Sequence, residues 1–195
     1  YGTVAVETLR RLFRDADASR ARLNRASRRQ QRRWQADRPC AIRHADVCHV
    51  WLRDRENRPR KVYIHGILDD CSRYVPALEA RETEREVDLL SVLCGALLRF
   101  PPTAVFYVDN GSCYRGDVLA LMGERLGIRV VHAQPYDPEA RGKMERFWRT
   151  MRQRCTDHLP TAATVHDVNA ALLAWLDEDY HRRPHAGLLG ETPLR

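Results

Sequence analysis

The chain has 195 residues, 44% of them hydrophobic, enough for one domain with a sizeable core plus an appendage. No apolar run approaches the ~20 residues of a membrane helix and no secretory signal opens the chain, so a cytoplasmic protein is the expectation. The net charge of +7 is unevenly spread: residues 1–40 hold 11 arginines against four acids, whereas residues 41–195 balance 22 basic against 22 acidic side chains. A concentrated arginine segment suits a polyanion, because guanidinium groups pair with phosphates and release counterions; a solvated basic helix has the same composition. The six cysteines are scattered without a CxxC pair, which predicts reduced thiols. Cys40, His44 and Cys48 lack the second paired set that a zinc site needs.

In chain order, residues 4–16 place Val6, Leu9, Leu12 and Phe13 at helical spacing, with Arg10, Arg11 and Arg14 on other faces. The segment reads as an amphipathic helix, or as the last helix of a truncated helix-turn-helix. Residues 17–39 read as a basic, partly helical linker. From Ala41 the pattern changes to strands: His44–Leu52, Lys61–Leu68 and Arg73–Leu78, joined by turns as an antiparallel meander. Thr83–Phe100 is predicted helical, with Val87, Leu90, Cys94, Leu97 and Leu98 facing inward and Pro101-Pro102 as its stop. A strand over Ala104–Val108 follows, then a helix from Asp117 to Leu126 stopped by Gly127, and a short strand over Ile128–Val131. These elements predict an α/β fold, a mixed five-stranded sheet with helices on its faces.

Two carboxylates stand out in the second half. Asp109 ends the apolar run Val105–Val108 and precedes the turn signal Asn110-Gly111. Glu145 follows after 35 intervening residues, in a segment of helical periodicity. At about 100° per residue, Met144, Phe147, Trp148, Met151 and Cys155 fall on one stripe, with Glu145, Arg149 and Arg152 on the adjacent face. Glu145 with Arg149 would also suit a plain surface ion pair. A final helix over 164–180 opens with a capping box, Thr164 and Asp167, and buries Val168, Leu172, Trp175, Leu176 and Tyr180. The tail after it is polar and rich in turns.

These motifs, in this order, resemble the catalytic core of the DDE transposases and retroviral integrases, bacterial insertion-sequence transposases in particular. His44-Ala45-Asp46 is similar to the family's first aspartate motif, and Asp69-Asp70-Cys71-Ser72-Arg73 to the acidic-serine-arginine turn that follows. Asp109-Asn110-Gly111 is similar to the second aspartate motif. The run Pro135-Tyr136-Asp137-Pro138 through Gly142-Lys143-Met144-Glu145-Arg146-Phe147 resembles the approach to the catalytic glutamate. Tyr180, Arg183-Pro184-His185 and Thr192-Pro193 resemble the C-terminal signature. Departures are Arg43-His44-Ala45 and Val47-Cys48-His49, where the family often has tryptophan-glutamine before the aspartate and threonine after it, and His181 in place of an asparagine.

The resemblance implies a ribonuclease-H-like core over 41–160, a basic segment over 1–40, and a C-terminal helix and tail over 161–195, in a chain that looks like a fragment of a longer protein. It implies Asp46, Asp109 and Glu145 as the catalytic and metal-ligating set for Mg²⁺ or Mn²⁺, two ions being expected because paired ions suit in-line displacement at phosphorus. Magnesium prefers oxygen ligands and keeps several waters, so three carboxylates and the substrate suffice. Asp69 and Asp70 compete for the first position but sit in a turn, which favours a structural role. Asn110, Lys143, Arg149 and Arg152, with Arg10, Arg11 and Arg14 upstream, are the candidates for DNA contact; His132 reads as a core or rim histidine. The expected partners are double-stranded DNA, as transposon ends and target, and further copies of the chain, at the bacterial nucleoid. The expected activity is DNA end cleavage and strand transfer. A catalytically idle DNA-binding remnant and a hydrolysis-only nuclease are the alternatives.

Overall fold

The computed structural model describes residues 5–15, 35–133 and 138–193, with side chains of the last segment described from residue 142 onward. Residues 1–34 and 35–195 form two compact units. In the first, helix α1 (Val6–Asp15) has no buried residue, and its apolar side chains Val6, Leu9, Leu12 and Phe13 are exposed. Arg10 reaches Glu7 one turn earlier, 3.3 Å away. The linker expected over 17–39 lies outside the described residues as far as Trp34.

The second unit is built on a mixed sheet. Strands β1 (Ile42–Arg53), β2 (Pro59–Asp69) and β3 (Ala77–Arg81) form the expected antiparallel meander. Strands β4 (Val105–Val108) and β5 (Arg129–His132) add parallel to the free side of β1, giving the order β3-β2-β1-β4-β5. Alternating side chains send Ala45, Ile67, Phe106 and Val108 to one face, under helices α2 (Glu86–Leu97) and α3 (Asp117–Leu126). Cys48, Val62, Ile64 and Leu68 go to the other, under α4 (Pro138–Arg154) and α5 (Val165–Glu178). Each large apolar side chain buried this way contributes about 1.5–3 kcal/mol. Among the described residues no helix is long and apolar enough to cross a membrane.

Two expectations about this frame are corrected. The third strand begins at Ala77, not Arg73, because residues 70–73 close a tight turn in which Arg73 takes a left-handed backbone (φ 59°) and Asp69 N–H donates to the Tyr74 carbonyl at 2.8 Å. Helix α2 buries Leu89, Val92, Leu93 and Ala96, leaving Val87 65% and Leu98 88% exposed. Its apolar residues run all round the helix, so two stripes of equal periodicity compete. Contacts at the start of the helix, one long-range and one local, choose between them. Glu86 accepts the Leu119 backbone N–H at 3.0 Å in the first turn of α3, and Asp88 accepts the Arg85 backbone N–H at 3.1 Å. These contacts start the helix three residues later than its pattern suggests and fix its rotation. Helix α3 has its predicted bounds, closed by Gly127 at φ 66°.

The C-terminal helix joins the same core. Thr164 Oγ1 accepts the Asp167 N–H at 3.2 Å while Asp167 accepts the Thr164 N–H at 2.8 Å, the capping box read from the sequence. Behind it, Phe147, Trp175 and Tyr180 form an aromatic cluster with ring centroids 5.2–5.9 Å apart. The next turn reaches across to the 70–75 loop. Tyr180 donates its hydroxyl to the Arg73 carbonyl at 3.2 Å, and Val75 N–H donates to His181 Nε2 at 3.2 Å. His181 also stacks on Tyr74, centroids 4.1 Å apart.

Burial holds the His181 imidazole neutral, pulling its pKa down to about 4. An unfolded histidine titrates near ~6.5. Between those values the unfolded chain binds a proton that the folded chain refuses, so stability is complete above pH ~6.5 and declines as pH falls toward about 4. Urea melts at pH 7 and pH 5 should show this as a loss on the order of 2 kcal/mol. His181→Asn, which keeps an acceptor for Val75, should reduce that loss, leaving the part due to His65 and His185, whose pKa values burial also lowers.

Candidate active site

Asp46 lies on β1 directly opposite Gly66 of β2. That glycine leaves room for the Trp148 indole from α4: a Cβ at position 66 would stand 2.4 Å from the ring. The ring therefore reaches close against β2 and its Nε1–H donates to Asp46 Oδ2 at 2.8 Å. The Val47 N–H donates to the other oxygen at 2.9 Å. Asp46 is thereby held from both sides in one rotamer.

Asp109 follows β4. The parallel register ends with Ala45 beside Val108, which brings Asp46 and Asp109 side by side on strands ~4.8 Å apart. The Gly111 N–H donates to Asp109 Oδ1 at 2.8 Å, an Asx turn that aims the carboxylate. His132 Nδ1 donates to the Asp109 carbonyl at 3.2 Å, and Asn110 Nδ2 donates to the Ala133 carbonyl at 2.8 Å, so β5 braces the loop from its far side. Glu145 is presented by α4 next to the buried Met144. The three carboxylates line one cleft of about 170 Å³, with His44, Tyr107 and Met144 among its walls. Beneath it, burial and then the Asp109 charge push the Cys113 thiol up to about 12, so it stays protonated and inert.

Behind the cleft a fourth carboxylate, Asp70, is wholly buried. His44 Nε2–H donates to its Oδ1 at 2.7 Å, the Lys143 ammonium donates to the same oxygen, and Ala36 N–H donates to Oδ2 at 2.6 Å. Arg73 stands 3.7 Å away. Burial works to raise the Asp70 pKa, but the hydrogen bonds from His44 and Lys143 outweigh it and hold the group at about 2. Neighbouring Asp69 accepts from Cys40 N–H at 2.7 Å and from Ser72 N–H and Oγ–H, both at 2.9 Å. Both acids of the turn thus have their oxygens committed to the fold. His44 precedes Asp46 by two residues and Lys143 precedes Glu145 by two, so Asp70 ties together the two elements that carry those acids.

Of the residues expected at DNA, Lys143 is turned inward to Asp70, and the Asn110 amide is given to Ala133. Arg149 is exposed on α4, while Arg152 lies against β1, its guanidinium 3.1 Å from Cys48 Sγ. No ion pair joins Glu145 to Arg149 among the described residues. Arg10, Arg11 and Arg14 stand exposed on α1. His132 is at the rim. Cys40, His44 and Cys48 do not converge: Cys40 Sγ meets Arg43, His44 meets Asp70 and Cys48 meets Arg152. Sequence reasoning missed the Trp148–Asp46 bond and the His44–Asp70–Lys143 cluster, whose members are far apart in the chain and share no local pattern.

Among the described residues no three His, Cys, Asp or Glu side chains stand close enough to hold one metal ion. The donor set nonetheless fits a hard divalent cation: three carboxylates and no cysteine line the cleft, and among the described residues Glu145 is not tied down by an ion pair.

Asp70→Asn should test the buried cluster. It leaves the Lys143 and Arg73 charges without their partner and should cost roughly 3–5 kcal/mol in a urea melt.

Comparison with known proteins follows the same lines. An integrase core domain family model matches residues 36–138, and a second integrase core domain model matches residues 126–193. The transposase for transposon Tn552 of Staphylococcus aureus is 23% identical over 181 residues, covering 82% of this chain and 38% of that protein. The chain therefore spans about two fifths of that relative's length. The HTLV-2 integrase catalytic core domain, solved in complex with magnesium, superposes with a TM-score of 0.61 at 16% identity over 82% of this chain and 97% of that one. The catalytic core domain of BIV integrase gives 0.56 at 20% identity over 80% of this chain and 91% of that one. At such identities the likeness is one of fold, the ribonuclease-H-like fold. With 103 of 195 residues matched by the first model, the chain belongs to the integrase core domain family.

Proposed function

We propose that this chain is the catalytic core of a DDE-type transposase, a polynucleotidyl transferase that cleaves transposon ends and transfers the exposed 3′-hydroxyl to target DNA. The observation that carries the reading is the convergence of Asp46, Asp109 and Glu145 on one cleft from a strand, a strand end and a helix. Those residues would hold Mg²⁺ or Mn²⁺, two ions in the working state. Bound there, divalent cations lower the energy of the attacking and departing oxygens at phosphorus. The chain's own part is to fix the acids beforehand: Trp148 and Val47 orient Asp46, Gly111 orients Asp109, and the packed stripe of α4 holds the backbone at Glu145.

Residues 1–40 serve in this reading as a basic DNA-binding segment, residues 41–160 as the catalytic core and residues 161–195 as its C-terminal helix and tail. Arg149, exposed on the helix row of Glu145, is the first candidate for a phosphate contact in the core, and Arg10, Arg11 and Arg14 are candidates upstream. The substrate is double-stranded DNA, the working complex contains several copies of the chain, and it acts in the bacterial cytoplasm at the nucleoid.

The decisive assay incubates the protein with supercoiled plasmid and labelled duplex ends in Mg²⁺ or Mn²⁺. Joined products should appear with the native chain and fall to background in Asp46→Asn, Asp109→Asn and Glu145→Gln, while DNA binding persists. Nicking without joining would identify a hydrolytic nuclease, and salt-sensitive binding without chemistry would identify an idle remnant. Replacing Arg10, Arg11 and Arg14 together by glutamine should flatten the log-affinity against log-salt slope by about 2–3. An unchanged slope would remove that helix from the DNA contact.

A further inference from the structure

Strands β1 and β2 continue past the end of β4. Only Ile42–Ala45 of β1 pair with β4, whereas pairing with β2 runs on to Arg53 opposite Pro59. The result is a two-stranded ribbon beside the cleft. Its inner face, with Cys48, Val50, Leu52 and Val62, is packed into the core beneath α4 and α5. Its outer face carries His49 opposite Tyr63 and Trp51 opposite Lys61. The burial alternates accordingly, residues 49, 51 and 53 being exposed and Trp51 67% so. A tryptophan at the centre of an outward strand face exposes a large apolar ring with no packing role among the described residues.

The surroundings of that ring are cationic. Residues 53–61 hold five basic side chains against two acids, a net +3 within a core whose total is zero. Both acids are engaged by one arginine, Arg58 meeting Asp54 at 2.8 Å and Glu56 at 3.0 Å. Arg60 is turned away to the Ala163 carbonyl at 2.9 Å. Lys61 sits over the Tyr63 ring, 4.7 Å from its centroid, and directly across from Trp51. Flat aromatic faces beside uncompensated cations are what a single-stranded polynucleotide meets with its bases and its phosphates.

We propose that this face of the β1–β2 ribbon is a stacking platform for an unpaired DNA strand leaving the cleft. The proposal rests on the polynucleotide reading of the cleft and adds the substrate's form. Trp51 is five residues beyond Asp46, ~17 Å along the strand, or about five nucleotides at stacked spacing. Asp46 faces α4 and Trp51 the opposite side, so a strand touching both crosses the edge of β1 that β4 leaves open after Ala45. Duplex DNA keeps its bases stacked on one another and offers the indole no face. A second copy docked symmetrically on this surface would bring two net +3 segments together.

Fluorescence anisotropy of the whole chain with a labelled single-stranded oligonucleotide, and with its duplex, tests this in EDTA, where no chemistry runs. Trp51→Ala should weaken single-strand binding by roughly five- to hundredfold and leave duplex binding within about twofold, while Trp51→Phe keeps most of the affinity. Lys61→Gln should flatten the single-strand salt slope by about 0.7. Unchanged single-strand affinity in Trp51→Ala, an equal loss on duplex, or a shift in its sedimentation to a smaller species would overturn the platform, the last by marking a self-association surface. The catalytic reading fails separately. A native chain that binds single strands through Trp51 but yields no joined product in Mg²⁺ keeps the platform and loses the transposase.

Discussion

The carboxylate of Asp70 organises this molecule. Buried without solvent, it would be costly as an isolated charge, and it persists because a histidine, a lysine, a backbone amide and an arginine surround it. Those partners come from β1, α4, the segment before β1 and the turn after β2. The turn is itself held by the Tyr180 hydroxyl and the His181 ring. Segments that are remote in sequence, and that carry different parts of the family resemblance, therefore meet in one polar cluster. The C-terminal tyrosine is distant from the cleft in the chain, yet three contacts, through Arg73 and Asp70 to His44, join it to β1.

That arrangement divides labour between charge and packing. The apolar stripe of α4, Met144, Phe147, Trp148 and Met151, fixes the helix against the sheet. The Asp70 cluster fixes its start, through Lys143. Glu145 stands between these two anchors, backbone-rigid but with its own carboxylate outside both. Asp46 and Asp109 are held more tightly, each by at least one hydrogen bond to a carboxylate oxygen. The acid that arrives on the helix is the one left free to adjust.

Much of this could be read from the sequence, for reasons that differ by residue. Asp109 was legible because an apolar run followed by Asp-Asn-Gly can only be a strand leaving the sheet. Glu145 was legible because the 100° periodicity around it gave a single stripe. Helix α2 gave two, and the Glu86–Leu119 contact that decides between them spans two elements. The third strand was misplaced because Tyr74 and Val75 look strand-like, while their backbone is claimed by the turn at Arg73 and by His181. The pairing of Lys143 with Asp70 was not legible, because nothing local links positions 70 and 143.

The short parallel ladder between β1 and β4 has a consequence for how such a chain can vary in length. Asp46 and Asp109 become neighbours only because four rungs end at Ala45 and Val108. A slip of one residue would send Asp46 to the opposite face, beneath α2, and take it from Trp148 altogether. Insertions or deletions inside those rungs are therefore forbidden by geometry. The hairpin bend at residues 54–58 and the exposed stretch around Pro101-Pro102 lie outside the ladder and can lengthen without disturbing it. Divergence in size among related chains should accumulate at those two places, leaving the acid pair in step.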